Sequence, residues 1–163
     1  MQPKVYEGRL NAEPFTFAIV ASRWNEFISN RLVEGAIDGL ERLGATEERV
    51  SVYRVPGAFE IPFAIKNFWE GHKYKDDRPH AFIALGCVLR GGTPHFEYVS
   101  KAVTDGVVQL NLQLPVPTIF GVLTLDTQQQ ADERTGGIHG HKGEEAAITA
   151  VKMMTLQQSF KKL

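Results

Sequence analysis

The chain has 163 residues, enough for one compact domain with a sizeable core, and its 43% hydrophobic content is that of an ordinary globular protein. Lys and Arg number 18 against 19 Asp and Glu, a formal charge of −1 with no basic block, which argues against general binding to nucleic acid or a membrane surface. One cysteine, Cys87, leaves no intrachain disulfide, no apolar run approaches the roughly 18 residues of a membrane span, and the polar stretch Met1 to Pro14 lacks the apolar centre of a signal peptide; a cytoplasmic protein is expected.

Phe15 to Val20 predicts the first strand. Ser22-Arg23-Trp24-Asn25 then leads into a helix on which Ile28, Leu32, Ala36, Leu40 and Leu43 recur at helical spacing, with Gly44 placed to end it. Val50 to Val55 alternates as a second strand, and Pro56-Gly57-Ala58-Phe59-Glu60-Ile61-Pro62 turns into a short helix running to about Gly71. A charged loop, His72 to Arg78, precedes the apolar run Ala81 to Val88, which has the pattern of a strand covered on both faces. A helix from about His95 carries Val99, Val103, Gly106 and Leu110 on one face, and Val116 to Leu123 predicts the fourth strand. Thr127 and Gln130 fit a capping box opening a helix that bears Glu133 and Arg134 and stops at Gly136-Gly137. After the turn Gly140-His141-Lys142-Gly143, a last helix sets Ala147, Val151 and Met154 on one stripe and ends at Lys161-Lys162.

Strand and helix alternate throughout, which predicts an α/β, single-domain, flavodoxin-like doubly wound sheet of four parallel strands flanked by helices on both faces. That domain spans residues 15–163. Residues 1–14 are expected to form an extended segment, long enough to pair with a neighbouring chain.

Chemistry concentrates in Leu85-Gly86-Cys87-Val88-Leu89-Arg90-Gly91-Gly92-Thr93-Pro94-His95-Phe96, where an apolar strand ends in a glycine-rich, hydroxyl-bearing turn that presents a histidine. Converging backbone N–H groups, the Thr93 hydroxyl and a helix N-terminus suit an oxyanion, phosphate best, and an imidazole beside it can move protons near neutral pH. The same residues also suit a plain strand-to-helix turn with His95 as a solvated cap. In a doubly wound sheet the carboxyl ends of the strands share one crevice, so this turn should meet Ser22 to Asn25, Pro56 to Pro62 and Leu123-Thr124. An aromatic plate, a glycine-opened backbone, an anion nest and a histidine together suit a planar polar heterocycle beside a phosphorylated partner.

The ordered motifs Ser-Arg-Trp-Asn, Val-Pro-Gly-Ala-Phe-Glu-Ile-Pro, Leu-Gly-Cys-Val-Leu-Arg-Gly-Gly-Thr-Pro-His-Phe, Phe-Gly-Val-Leu-Thr and Gln-Ala-Asp-Glu-Arg before Lys-Gly resemble the 6,7-dimethyl-8-ribityllumazine synthase family from about Phe15 to Met154. The resemblance implies condensation of 5-amino-6-(ribitylamino)uracil with 3,4-dihydroxy-2-butanone 4-phosphate, with loss of phosphate and water, as the penultimate step of riboflavin synthesis. It implies neither a metal nor an organic cofactor.

On the same resemblance, Trp24 stacks on the pyrimidine ring with Asn25 beside it, Ala58, Glu60 and Ile61 hold the ribityl chain and ring, and Val88 and Leu89 back the ring's polar edge. Gly92 and Thr93 bind the phosphate of the butanone, Arg134 clamps it, and His95 is the acid/base. Phe120 and Lys142 complete the pocket, with Phe120, Arg134 and Lys142 reaching it from an adjacent subunit. Each has a bland alternative: a core aromatic at a helix start for Trp24, a helix N-terminal acid for Glu60, core packing for Val88 and Leu89, a solvated helix charge for Arg134. Two departures stand out. His141 occupies the position before Lys-Gly where the family usually has Asn, leaving the orientation of Lys142 open, and Lys152-Met153 replaces a usual Glu-Met. His139 and His141 without carboxylate or thiolate company are weak grounds for a metal.

The family also implies a homopentamer, in some members twelve pentamers forming a 60-subunit shell, and riboflavin synthase as a partner. No long insertion separates Arg134 from Lys142, which leaves the shell open here. A non-catalytic flavin- or lumazine-binding homologue and a mainly shell-forming homologue are the competing functions.

Overall fold

The computed structural model describes all residues, Met1–Leu163. Four parallel strands, β1 (Phe17–Ser22), β2 (Val50–Val55), β3 (Ala81–Leu89) and β4 (Thr118–Leu125), lie in the order β2-β1-β3-β4. They alternate with α1 (Glu26–Arg42), α2 (Ile61–His72) and α3 (His95–Gln113); after β4 come a short α4 (Gln128–Arg134), a hairpin of β5 (Thr135–Gly137) and β6 (Gly140–His141), and the long α5 (Lys142–Phe160). The expected flavodoxin-like architecture is present. No helix is long and apolar enough to cross a membrane.

Because side chains alternate across a strand, the sheet carries two cores. Phe17, Ile19 and Ala21 of β1 with Ile83, Leu85 and Cys87 of β3 pack against Leu32 and Ala36 of α1 and Ala147, Val151 and Met154 of α5. Ala18, Val20, Phe82 and Ala84 point the other way, onto Ile61, Ile65 and Trp69 of α2 and Val103, Val107 and Leu110 of α3. β1 and β3 are buried along their length, which is why their sequences read as unbroken apolar runs. A Cβ on Gly106 would stand 2.5 Å from Pro62 Cγ, so glycine there lets α3 close on the first turn of α2.

Three differences from the sequence expectation have physical causes. β1 starts at Phe17 rather than Phe15, because the Phe15 ring is buried at the sheet's lower end, edge-on to His80, while His80 N–H and Nδ1 occupy the backbone of Thr16. β4 starts after Pro117, whose nitrogen has no hydrogen to donate to a ladder. The β5–β6 hairpin was expected as a glycine turn; its five strand residues carry no apolar period, and Gly136 (φ 108°) and Gly140 (φ 76°) take the left-handed conformation.

Gly8 and Arg9 lie against α5 of their own chain, and Ala12 N–H donates to Leu43 O at 2.9 Å, at the end of α1. Arg9 N–H donates to Thr155 Oγ1 at 2.6 Å and Thr155 Oγ1 donates to Arg9 O at 3.1 Å, while Ala12 is fully buried. Met1 to Glu7 are exposed.

Candidate functional site

The strand order reverses between β1 and β3, whose connections leave to opposite sides; a crevice opens at the carboxyl ends of strands at such a point. Here it is a cleft of ≈ 540 Å³. The first loop, after β1, supplies Trp24 and Asn25; the second, after β2, supplies Pro56 to Glu60; Val88 and Leu89 end β3; and His95, Tyr98 and Val99 come from the first turns of α3. The two loops are tied to each other, since Arg23 N–H donates to Val55 O at 2.8 Å and Trp24 N–H to Pro56 O at 3.0 Å, continuing the β1–β2 ladder beyond the strands.

Trp24 is 73% exposed, so the core-aromatic alternative does not hold for it within this chain. Its neighbour Asn25 takes the left-handed conformation (φ 57°, ψ 52°), which asparagine tolerates better than other side-chain-bearing residues. The Asn25 amide does not cap α1; it reaches the Cys87 thiol. Burial pushes that thiol up to about 11, with the Asn25 hydrogen bond pulling weakly the other way.

Ala58 is buried and lines the cleft, whereas Ile61 is fully buried in the core beneath and does not line it. The Glu60 carboxylate is exposed and accepts the Gly57 N–H at 2.8 Å, which closes the loop. Val88 is buried and Leu89 half-buried under the cleft.

Between β3 and α3, Gly92 and Thr93 are exposed, and His95 N–H donates to Thr93 Oγ1 at 3.5 Å. Neither Gly91 nor Gly92 has a positive φ, and a Cβ on either would meet nothing within 4 Å. Nothing inside the chain therefore demands glycine at these two positions. Arg90 anchors the turn: Nε donates to Asp126 Oδ1 at 2.7 Å, Nη1 lies 3.5 Å from Glu97 Oε1, the guanidinium sits 4.3 Å over the Phe96 ring, and the Arg90 N–H donates to Leu125 O at 2.8 Å. With two carboxylates around it, Arg90 offers little net positive charge to an anion.

The other expected residues lie elsewhere. Phe120, on the edge strand β4, and Lys142, the first residue of α5, line a second cleft of ≈ 450 Å³ with Leu123, Glu145 and Ala146. Lys142 Nζ is 2.8 Å from Glu145 Oε2. Arg134 ends α4, its Nη1 donating to Gln130 O at 3.1 Å and 3.4 Å from Glu133 Oε2, and it lines neither cleft. Within one chain, then, Trp24, Asn25, Ala58, Glu60, Val88, Leu89 and His95 come together, while Phe120, Arg134 and Lys142 do not join them. The end of β4, expected at the same crevice, does not line it either. His139 and His141 are engaged separately: His139 Nε2 is 3.9 Å from Glu133, and His141 Nδ1 accepts from Gly143 N–H at 3.2 Å.

Pro56, Gly57 and Phe59 line the cleft as part of the Pro56 to Pro62 segment expected there, and Tyr98 and Val99 line it without having been assigned to it from the sequence. Tyr98 carried a legible signal, since three residues past His95 on a helix falls on the same face, and it is 74% exposed. A family model described as 6,7-dimethyl-8-ribityllumazine synthase matches residues 14–158.

Proposed function

We propose that this chain, which belongs to the 6,7-dimethyl-8-ribityllumazine synthase family, condenses 5-amino-6-(ribitylamino)uracil with 3,4-dihydroxy-2-butanone 4-phosphate to give 6,7-dimethyl-8-ribityllumazine, phosphate and water. The observation that carries this is the convergence of Trp24, Glu60 and His95 on one cleft at the switch point of the sheet, beside a turn whose glycines are open to the outside. The exposed Trp24 indole is the plate for the pyrimidine ring. Glu60 and the backbone at Ala58 hold the ribityl chain with Ile61 beneath them, Asn25 lies beside the ring, and Val88 and Leu89 form the floor. The bare backbone at Gly92 and the Thr93 hydroxyl receive the phosphate, with the N-terminus of α3 directed at it.

Most of the acceleration comes from holding two reactants together, which makes a bimolecular condensation effectively intramolecular. The aromatic amine attacks the ketone carbonyl and an imine forms with loss of water; phosphate leaves; the second nitrogen closes the ring with further loss of water. His95, the first residue of α3, moves protons during imine formation and phosphate departure.

A single chain supplies no cation to the phosphate turn, because Arg90 is neutralised and Arg134 stands apart. Arg134, Lys142 and Phe120 instead serve the cleft of an adjacent copy, in a ring of identical, heterologous contacts. That ring is a pentamer, with the 60-subunit shell as its further assembly, and Met1 to Glu7 extend to pair with a neighbouring sheet. The buried, unpaired Cys87 fits a reducing compartment, the cytoplasm.

The test mixes purified protein with both substrates and follows lumazine fluorescence above the spontaneous background, with Arg134→Ala alongside. Product formed by the wild type and lost in the variant is the expected result. A wild-type rate equal to background would replace the synthase with a ligand-binding homologue.

A further inference from the structure

The first turn of α5 is held by an arrangement that the assigned roles leave unexplained. His141, pairing with Thr135 across the β5–β6 hairpin, is the N-cap of α5, and its Nδ1 accepts the Gly143 N–H at 3.2 Å. The ring lies against α1 at Gly35, where any Cβ would overlap the imidazole, and on its other side a Cβ at Gly136 would be 3.8 Å from His141 Cδ2. Below it Gly143 meets the Leu32 carbonyl so closely that a Cβ there would also overlap. The residue between the cap and this contact is Lys142. We infer that His141 is a positioning residue for Lys142, fixing the first turn of α5 through a hydrogen bond that only a neutral imidazole can make. The inference rests on the proposed service of Lys142 to a neighbouring cleft.

An Nδ1 that accepts carries no proton, so the ring is the Nε2–H tautomer. A second proton turns Nδ1 into a donor facing the Gly143 N–H, and the cap is lost. The carboxylates on the surrounding elements are committed to other partners: Asp132 to Arg31, Glu144 to Arg42, Glu145 to Lys142, and Glu133 to Arg134 and His139. Glu34 and Asp38 of α1 are exposed, and no carboxylate lies within ion-pair distance of the imidazole. Acidification therefore loosens the turn that presents Lys142.

The experiment compares wild type, His141→Ala and His141→Asn, whose amide oxygen can replace Nδ1 as acceptor without titrating. Steady-state kcat and KM for the ribitylaminouracil are measured at about pH 8 and about pH 5, the span across which imidazoles titrate. At the higher pH, His141→Ala is expected to raise KM about fivefold, the usual scale of a lost cap, with kcat changed less than about twofold, while His141→Asn matches wild type. At the lower pH the wild type acquires the raised KM and His141→Asn does not, the two chains being otherwise identical. In parallel, hydrogen exchange at the Gly143 amide should be faster in His141→Ala, and at the lower pH faster in wild type than in His141→Asn. Identical pH dependence of KM in wild type and His141→Asn overturns the inference. Absence of turnover in the wild type defeats the proposed reaction instead; Gly143 exchange then decides the cap, equal rates in all three proteins overturning it.

Discussion

The carboxylate of Glu60 accepts the backbone N–H of Gly57 at 2.8 Å, so the loop that follows β2 is closed by the side chain proposed to hold the ribityl chain. A Cβ on Gly57 would be 3.0 Å from Glu60 Oε2 and 3.8 Å from Trp24 Cδ1, which places this bond at the wall next to the exposed indole. Glu60→Gln keeps an acceptor and Glu60→Ala removes it. The alanine variant is expected to raise KM for the ribitylaminouracil about tenfold, roughly 1.4 kcal/mol, and the glutamine variant about threefold. Equal effects would mean that the loop closure does not matter to binding.

Arg90 should act on the other substrate. Its contacts with Asp126, Glu97 and Phe96 fasten the Gly92–Thr93 turn to the end of β4, and Arg90→Ala releases that turn while leaving the β1 and β2 loops untouched. KM for the butanone phosphate is expected to rise about fivefold and KM for the ribitylaminouracil to stay within about twofold, by two-substrate kinetics. A parallel rise in both would point to general loosening of α3.

The proposed division of the site between copies has a consequence for mixed assemblies. Trp24→Ala and Arg134→Ala chains, each impaired alone, recover activity when unfolded and refolded together, because some interfaces combine an intact Trp24 cleft with an intact Arg134. Random mixing gives about a quarter of such sites. Activity of the mixture no greater than the mean of its parts would mean that Arg134 does not serve the cleft of a neighbouring copy.

At the opposite end of the sheet, His80 Nδ1 accepts the Thr16 N–H at 2.9 Å. Burial chiefly, then the positive charges of Arg78, Arg49 and Lys161, hold its imidazole below the usual 6.5. A depressed histidine is neutral in the folded chain while the unfolded chain already binds a proton, so its stabilisation is full above about pH 6.5 and declines as pH falls toward the lower folded value. Urea denaturation between about pH 7.5 and about pH 5 should show a smaller acid loss in His80→Asn, which keeps an acceptor for Thr16. The same loss in both proteins would assign the effect to other groups.

Much of this molecule could be read before its coordinates. Strands β1 and β3 announced themselves because burial on both faces leaves them no polar positions, and the loops at their carboxyl ends followed from topology alone. Trp24 and His95 were legible because neither a bare indole at a helix start nor a histidine after Gly-Gly-Thr-Pro is needed by the fold. The commitment of the Glu60 carboxylate to Gly57 was not, since hydrogen bonds local to a turn leave no period in a sequence. Nor was the proposed role of His141, which depends on glycine at position 35 of α1, a contact between residues more than one hundred positions apart. The separation of Phe120, Arg134 and Lys142 from the main cleft follows from the strand order: the cleft opens at the junction of β1 and β3, while Phe120 lies on β4 beyond β3 and Arg134 and Lys142 on the helices that follow it.

The state of Cys87 has a practical side. Its sulfur is sealed between β3 and the helices, and with the thiol pushed up to about 11 almost none of it is thiolate, the form that alkylating reagents attack. The native thiol is therefore expected to react slowly with maleimides. A cysteine engineered anywhere on the protein's surface would be the preferred handle for a dye or a tether, with no need to remove the native one first.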